Sequence, residues 1–287
     1  MKRSTLLLAI CAWAAAGVVL AEPTRSHGYL VVSDGLKIHY VVVGRGTPVI
    51  LIHGAGGSAV GNWFANGIAQ ALAKNHRVVA IDCRGHGQSD NPPGGAMPNR
   101  VMAQDVIELM DHLDIAKAHV HGYSMGGAIC EQMLARYPER LMTVAFGGWG
   151  IPEVDPEIKA KVPPDKQGAD PQEAELYAKF RAALAERNQA TGSEQDAEKN
   201  RPKHPGKGRD DGSRPTIDLT QIKIPVLAIN GEFDRPNAKT HRMQRELANF
   251  TSVVLAGKSH LSAIVAGSIP PLYTDTLVEF INSNDPK

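Results

Sequence analysis

The order of apolar segments in this 287-residue chain predicts an α/β fold, with a mostly parallel sheet covered by helices on both faces. Short continuous apolar runs alternate with longer amphipathic stretches. The 28 Gly and 19 Pro are more than a helical bundle would use and suit tight strand-to-helix turns. A hydrophobic content of 43% over this length can form a sizeable core without disulfide staples, and the length fits one large domain.

The elements follow in order. Tyr29–Ser33 and Ile38–Val43 are β-rich and flank Asp34-Gly35, a hairpin turn signal. Pro48–Ile52 is continuously apolar, as a strand buried on both faces must be. A helix is predicted over Trp63–Lys74, a buried strand over Arg77–Ile81 and an amphipathic helix over Val101–Leu113. Ala118–Gly122, Gly126–Arg136 and Leu141–Phe146 read as strand, helix and strand. Late in the chain come strands at Val226–Asn230 and Ser252–Leu255, with helices at Thr240–Asn249 and Leu272–Ile281.

Two segments depart from this rhythm. Lys2 and Arg3 precede an apolar run from Leu6 to Ala21, and Val19-Leu20-Ala21 forms a small-residue cleavage site before Glu22. This is the layout of a secretory signal peptide. At 16 residues the run is short for a membrane anchor, which needs about 20. Residues 1–21 are therefore expected to be removed, leaving a periplasmic or secreted protein with no stable membrane insertion. The second segment, Glu186 to Pro215, has no Val, Ile, Leu, Met or aromatic residue and cannot bury enough surface to offset chain entropy. With the helix predicted at Glu173–Ala185, it makes residues 151–220 an insertion: a small, partly disordered cap between two core strands.

Composition excludes some functions. With 31 basic and 30 acidic residues the chain has no excess of cations for nucleic acid, and 5% aromatics weakens any base-stacking platform. Cys83 and Cys130 remain after cleavage and permit one disulfide without requiring it.

The chemistry centres on Gly122-Tyr123-Ser124-Met125-Gly126, which follows a predicted strand and opens a predicted helix. In that context the glycines allow a turn sharp enough to lift the Ser124 hydroxyl clear of the sheet. The helix N-terminus offers the Met125 N–H to an oxyanion. A serine hydroxyl needs an adjacent base, and His260 lies just beyond a late strand. The acid should lie between them in sequence, after another strand. Asp234 fits, with Glu232 as the rival and Asp105 as a distant candidate inside a helix. His53-Gly54-Ala55-Gly56-Gly57 ends a buried strand, so the Ala55 N–H is the second candidate oxyanion donor. The plainer readings of that segment are a helix-entry loop or a phosphate-binding loop, and the latter lacks the Lys-Ser/Thr or acidic partner such loops use. Trp149, Gly54 and Tyr123 are candidate walls of the substrate pocket, although Trp149 fits core packing equally well. His119 and His121 alternate on one strand without a third ligand at usable spacing, so buried, hydrogen-bonded histidines are expected. His27, His76, His112, His204 and His241 read as surface residues.

Together HGAGG at 53–57, DCRGHGQSD at 82–90, GYSMGG at 122–127, GEFD at 231–234 and the terminal His260 resemble the α/β-hydrolase superfamily over residues 29–285. The resemblance implies a central, mainly parallel eight-stranded sheet. It also implies a Ser124–Asp234–His260 triad with oxyanion donors Ala55 and Met125. It makes Arg84–Ser89 a structural turn, with no catalysis assigned to His86. In that fold a central strand separates Cys83 from Cys130, so free thiols are expected. A serine at 124 argues against haloalkane dehalogenases and soluble epoxide hydrolases, which carry aspartate there.

The expected activity is hydrolysis of a small-molecule ester or lactone by an exported serine hydrolase, with no metal or organic cofactor implied. The alternatives are carbon–carbon bond hydrolysis, a cofactor-free haloperoxidase or perhydrolase activity, and a non-catalytic ligand-binding protein on the same fold.

Overall fold

The computed structural model describes residues 24–95, 97–190 and 217–286, with side chains of 183–190 left aside. The apolar segment at 1–21, residues 191–215 of the polar tract, and His204 with them, lie outside the described residues. Eight strands form one sheet: β1 (Ser26–Val31), β2 (Lys37–Val43), β3 (Thr47–Ile52), β4 (His76–Ile81), β5 (Ala118–Tyr123), β6 (Leu141–Gly147), β7 (Val226–Gly231) and β8 (Phe250–Leu255). Their order is β1-β2-β4-β3-β5-β6-β7-β8. β2 runs antiparallel to both β1 and β4, and every other pairing is parallel.

Helices cover both faces, as the continuous apolar runs require. Ile50 and Ile52 of β3 face one cluster, with α2 (Asn99–His112) and α3 (Met125–Arg136) supplying Met102, Val106, Ile129 and Met133. The alternate residues Val49 and Leu51 face the other cluster. There α1 (Ile68–Leu72) and α7 (Pro271–Ser283) supply Ile68, Leu72, Tyr273 and Leu277. Each such side chain, fully buried, contributes about 1.5–3 kcal/mol. Between β6 and β7 the chain forms α4 (Pro156–Lys159) and α5 (Glu173–Ala190), and α6 (Pro236–Glu246) follows β7.

The order places β4 on one side of β3 and β5 on the other. That reversal opens a crevice at the carboxyl ends of β3 and β5, where ligands bind in open α/β sheets. The HGAGG loop and Ser124 leave the sheet there.

Three expectations need correction. The helix expected over Trp63–Lys74 is broken into a π-helical turn at Val60–Phe64 and the short α1. Gly67 between them takes φ +83°, a left-handed conformation that ends a helix. Asn66 anchors the break by donating to the carbonyls of Asn62 (2.7 Å) and Ile264 (2.9 Å). The helix expected at Thr240–Asn249 instead starts at Pro236, whose fixed φ suits the first helical position. His76 is not a surface residue. It is fully buried because Asp285, near the chain end, reaches it: Oδ2 lies 3.1 Å from His76 Nε2, and Oδ1 lies 3.1 Å from His119 Nε2.

His119 and His121 are buried and hydrogen-bonded, His119 to Thr143 and His121 to the Ala145 carbonyl and the Tyr273 hydroxyl. Burial pulls the His121 imidazole down to about 4, so it is neutral and accepts from Tyr273 at Nε2. Cys83 and Cys130 are buried free thiols. Asp105, the distant candidate acid, is held by Arg84 through two bonds of 2.7 and 2.6 Å, and Arg84 also reaches Asp34 at 2.8 Å.

Removing one partner from such a buried pair leaves an uncompensated charge. Asp105→Asn is therefore expected to cost about 3 kcal/mol, the low end for breaking a buried ion pair, because Arg84 keeps Asp34. Urea unfolding of the variant checks this, and an unchanged midpoint would contradict it.

Candidate active site

β5 runs into α3 with only Ser124 between them, and Ser124 takes φ 53°, ψ −110°. Two glycines allow so tight a junction. A Cβ on Gly122 would collide with the Gly126 carbonyl, and one on Gly126 would collide with the Ile52 carbonyl of β3. The Ser124 amide donates to Gly147 of β6 at 2.8 Å, and its carbonyl accepts from Ala128 at 3.0 Å. The residue is thus tied to the sheet on one side and to the helix on the other.

The three sequence-predicted side chains meet here. Ser124 Oγ lies 2.9 Å from His260 Nε2, and His260 Nδ1 lies 2.8 Å from Asp234 Oδ2. An ionised carboxylate can only accept, which puts the imidazole proton on Nδ1 and leaves Nε2 to accept from the Ser124 hydroxyl. Burial pushes the Asp234 carboxyl upward. The His260 hydrogen bond and charge, with the nearby Lys239 ammonium, outweigh burial and hold it below the usual carboxylate range. The rival Glu232 instead accepts from the Gly257 amide (2.8 Å) and Lys166 (2.7 Å), bracing the loop after β8.

Met125 opens α3, where an amide has no partner within the helix. The HGAGG loop lies against the serine: a Cβ on Gly54 would sit 3.5 Å from Ser124 Cβ. His53 holds this loop. Its Nε2 accepts from the Cys83 amide at 3.0 Å, so Nδ1 carries the proton and donates to the Gly54 carbonyl at 2.7 Å. His86 is buried, with Nδ1 3.0 Å from the Arg84 carbonyl, inside the turn it was expected to form.

The pocket residues separate. Gly54 sits at the crevice. Tyr123 is buried beneath it, and its hydroxyl donates to the His260 backbone carbonyl at 2.5 Å, so it positions the histidine loop instead of walling the pocket. Trp149 packs on α3 and donates to Glu131 at 3.0 Å. It lines a cavity of about 210 Å³ with Pro152, Arg235 and Lys239, and neither Ser124 nor His260 lines it.

Sequence reading missed the contribution of the insertion. Asp165 caps α6, accepting from the amides of Asn237 (2.6 Å) and Ala238 (3.2 Å), directly after the loop carrying Asp234. Glu173 accepts from the Ser259 hydroxyl and, at 3.3 Å, from the Leu261 amide, one residue either side of His260. Asp170 also accepts from Ser259, at 3.3 Å. On α5 the Phe180 ring fills the space a Cβ on Gly56 would need. Tyr177 lies one turn earlier on α5, its hydroxyl pKa raised by burial and by the charges of Glu173 and Asp234. The three-residue spacing of these aromatics was visible in the sequence, but their target was not. Among the described residues no group of three or more His, Cys, Asp or Glu is arranged to hold a metal ion, and no helix is long and apolar enough to cross a membrane.

A family model described as the alpha/beta hydrolase fold matches residues 47–264, and the chain belongs to that family. It is similar to the dihydrolipoyllysine-residue acetyltransferase component of the acetoin cleaving system of Pseudomonas putida, 41% identical over 35% of this chain and 26% of that protein. It is also 35% identical to the 2-hydroxy-6-oxononadienedioate/2-hydroxy-6-oxononatrienedioate hydrolase of Escherichia coli K12, over 40% of this chain and 41% of that enzyme. The matches thus span well under half of these relatives. Among solved structures, a thermophilic esterase from Thermogutta terrifontis superposes with a TM-score of 0.61 at 22% identity, covering 91% of this chain and all of that one (100%).

Tyr123→Phe removes the donor to the His260 carbonyl while keeping the ring. It is expected to lower stability by about 1 kcal/mol, the net worth of a typical hydrogen bond, without changing the far-ultraviolet circular dichroism spectrum. Chemical denaturation measures this, and a variant as stable as the wild type would show that the bond does not hold the loop.

Proposed function

We propose that the chain is an exported serine hydrolase that cleaves a small carboxylic ester or lactone through an acyl-enzyme on Ser124. One observation carries the reading: the unbroken hydrogen-bonded series Asp234–His260–Ser124, ending at a serine held on a strand-to-helix elbow. His260 Nε2 takes the Ser124 proton as Oγ attacks the substrate carbonyl. Asp234 stabilises the imidazolium that results, and the Ala55 and Met125 amides hold the oxyanion. His260 then gives the proton to the leaving alkoxide. Water, deprotonated by the same nitrogen, releases the acid and regenerates Ser124.

A second reading, carbon–carbon bond hydrolysis, draws support from the similarity to the Escherichia coli dienedioate hydrolase. Parallel turnover of short p-nitrophenyl esters, lactones and a dienoate ketone separates the two.

Ser124→Ala is expected to lower ester turnover at least a thousandfold, and Asp234→Asn to lower kcat by about 10⁴ by allowing the wrong imidazole tautomer. Normal turnover by folded Ser124→Ala would reject the mechanism. Export is tested separately, by terminal sequencing of protein expressed with residues 1–21 intact. A chain starting at Glu22 is expected, and one retaining Met1 in the cytoplasm would contradict it.

A further inference from the structure

The carboxylate that holds His260 has a second partner that the proposed mechanism does not use. Asp234 Oδ1 lies 2.6 Å from Lys239 Nζ, while Oδ2 faces His260 at 2.8 Å. Lys239 sits one turn into α6, which begins two residues after Asp234. Helix side chains lean toward the N-terminus, so its stem runs back over the first turn to the acid. A second bond fixes it there: Nζ donates to the Gly148 carbonyl at 3.0 Å, just past the end of β6. Gly148 reaches this position at φ 59°, and Gly150 packs so tightly against α6 that a Cβ would collide with the Lys239 carbonyl. The ammonium is thus bound between two loops of the site, and the Lys239 side chain is only 21% exposed.

We propose that Lys239 is a positioning residue for the triad, acting through Asp234 to weaken the proton affinity of His260 and so extend hydrolysis to lower pH. This rests on the reading of Ser124, His260 and Asp234 as a catalytic triad. The physical argument is one of sign. An imidazolium at His260 is favoured by the Asp234 carboxylate. A fixed positive charge on the far oxygen of that carboxylate offsets part of the attraction. With Lys239 in place, the neutral imidazole needed to accept the Ser124 proton persists to lower pH, at some cost in base strength. Burial holds the Lys239 ammonium below its usual value, and the Asp234 carboxylate offsets only part of that.

Other charged and titratable groups face this pair and form the background to the effect. Arg235 lies on the same loop as Asp234, Asp165 caps α6 from the insertion, and Tyr123 lies below on β5. From the insertion, Glu173 and Tyr177 approach on α5 and Asp170 lies just before it, while Lys258 is on the histidine loop itself. None of these bonds the Asp234 carboxylate in the described structure, whereas Lys239 does.

The test compares Lys239→Gln, Lys239→Met and Lys239→Arg with wild type by two readouts: the acid limb of kcat/KM for a p-nitrophenyl ester, and the His260 ring-proton titration followed by nuclear magnetic resonance. Gln keeps polar contact and loses the charge, Met loses both, and Arg keeps the charge. The Gln and Met variants are expected to move the acid limb and the ring titration upward by about half to one pH unit, a threefold to tenfold change in proton affinity. The Arg variant should stay within about 0.2 unit of wild type. A kcat lowered equally at every pH, with neither midpoint moved in whichever neutral variant folds, would overturn the proposal and leave Lys239 a structural brace. An Arg variant shifted as far as Met would overturn it as well. The ring titration does not depend on turnover, so it tests Lys239 even if Ser124→Ala retains activity and the hydrolase reading fails.

Discussion

Ser124 holds a backbone conformation that costs about 1–3 kcal/mol, and the surrounding packing leaves it no alternative. β5 has no loop in which to relax before α3 begins. The Ser124 amide is committed to Gly147, its carbonyl to Ala128, and the flanking Gly122 and Gly126 leave no space between β3, β5 and the helix. That constraint sets the position of everything else. It points the hydroxyl out of the sheet, leaves the Met125 amide without an intrahelical partner, and sets the spot at which His260 and the HGAGG loop meet it.

Those two arrive by long-range tethers. His53 fixes the HGAGG loop to the segment after β4 through Cys83, and Tyr123, adjacent to the serine, holds the carbonyl of His260. The insertion is fastened to the same loops. Asp165 caps the helix after Asp234, and Glu173 grips the residues flanking His260. The insertion is thereby tied to the loops carrying Asp234 and His260, and Phe180 packs against Gly56 of the HGAGG loop.

What was legible in the sequence was whatever is local. Pro48–Ile52 and Ala118–Gly122 read as strands because both faces of each are buried, and the elbow read from its glycines because they are adjacent in sequence. Ser124, Asp234 and His260 were identifiable because each follows a strand in the order the fold demands. Features set by distant partners were not legible. Nothing near His76 announces that Asp285, at the far end of the chain, will bury it. The helix break at Gly67 depends on Asn66 reaching the Ile264 carbonyl. Tyr123 was named as a candidate pocket wall, and nothing local to it shows the His260 carbonyl its hydroxyl meets. The pairing of Lys239 with Asp234 was not legible either, since the helix read from Thr240 left Lys239 outside it, whereas α6 starts at Pro236.

The central claim is that Ser124 is an activated nucleophile, and covalent labelling tests it without requiring the natural substrate. Folded wild-type protein treated with a fluorophosphonate is expected to gain the mass of one phosphonyl group, on the peptide carrying Ser124, and Ser124→Ala is expected to gain none. A folded wild type that stays unlabelled, or a Ser124→Ala protein labelled to the same extent, would contradict the account.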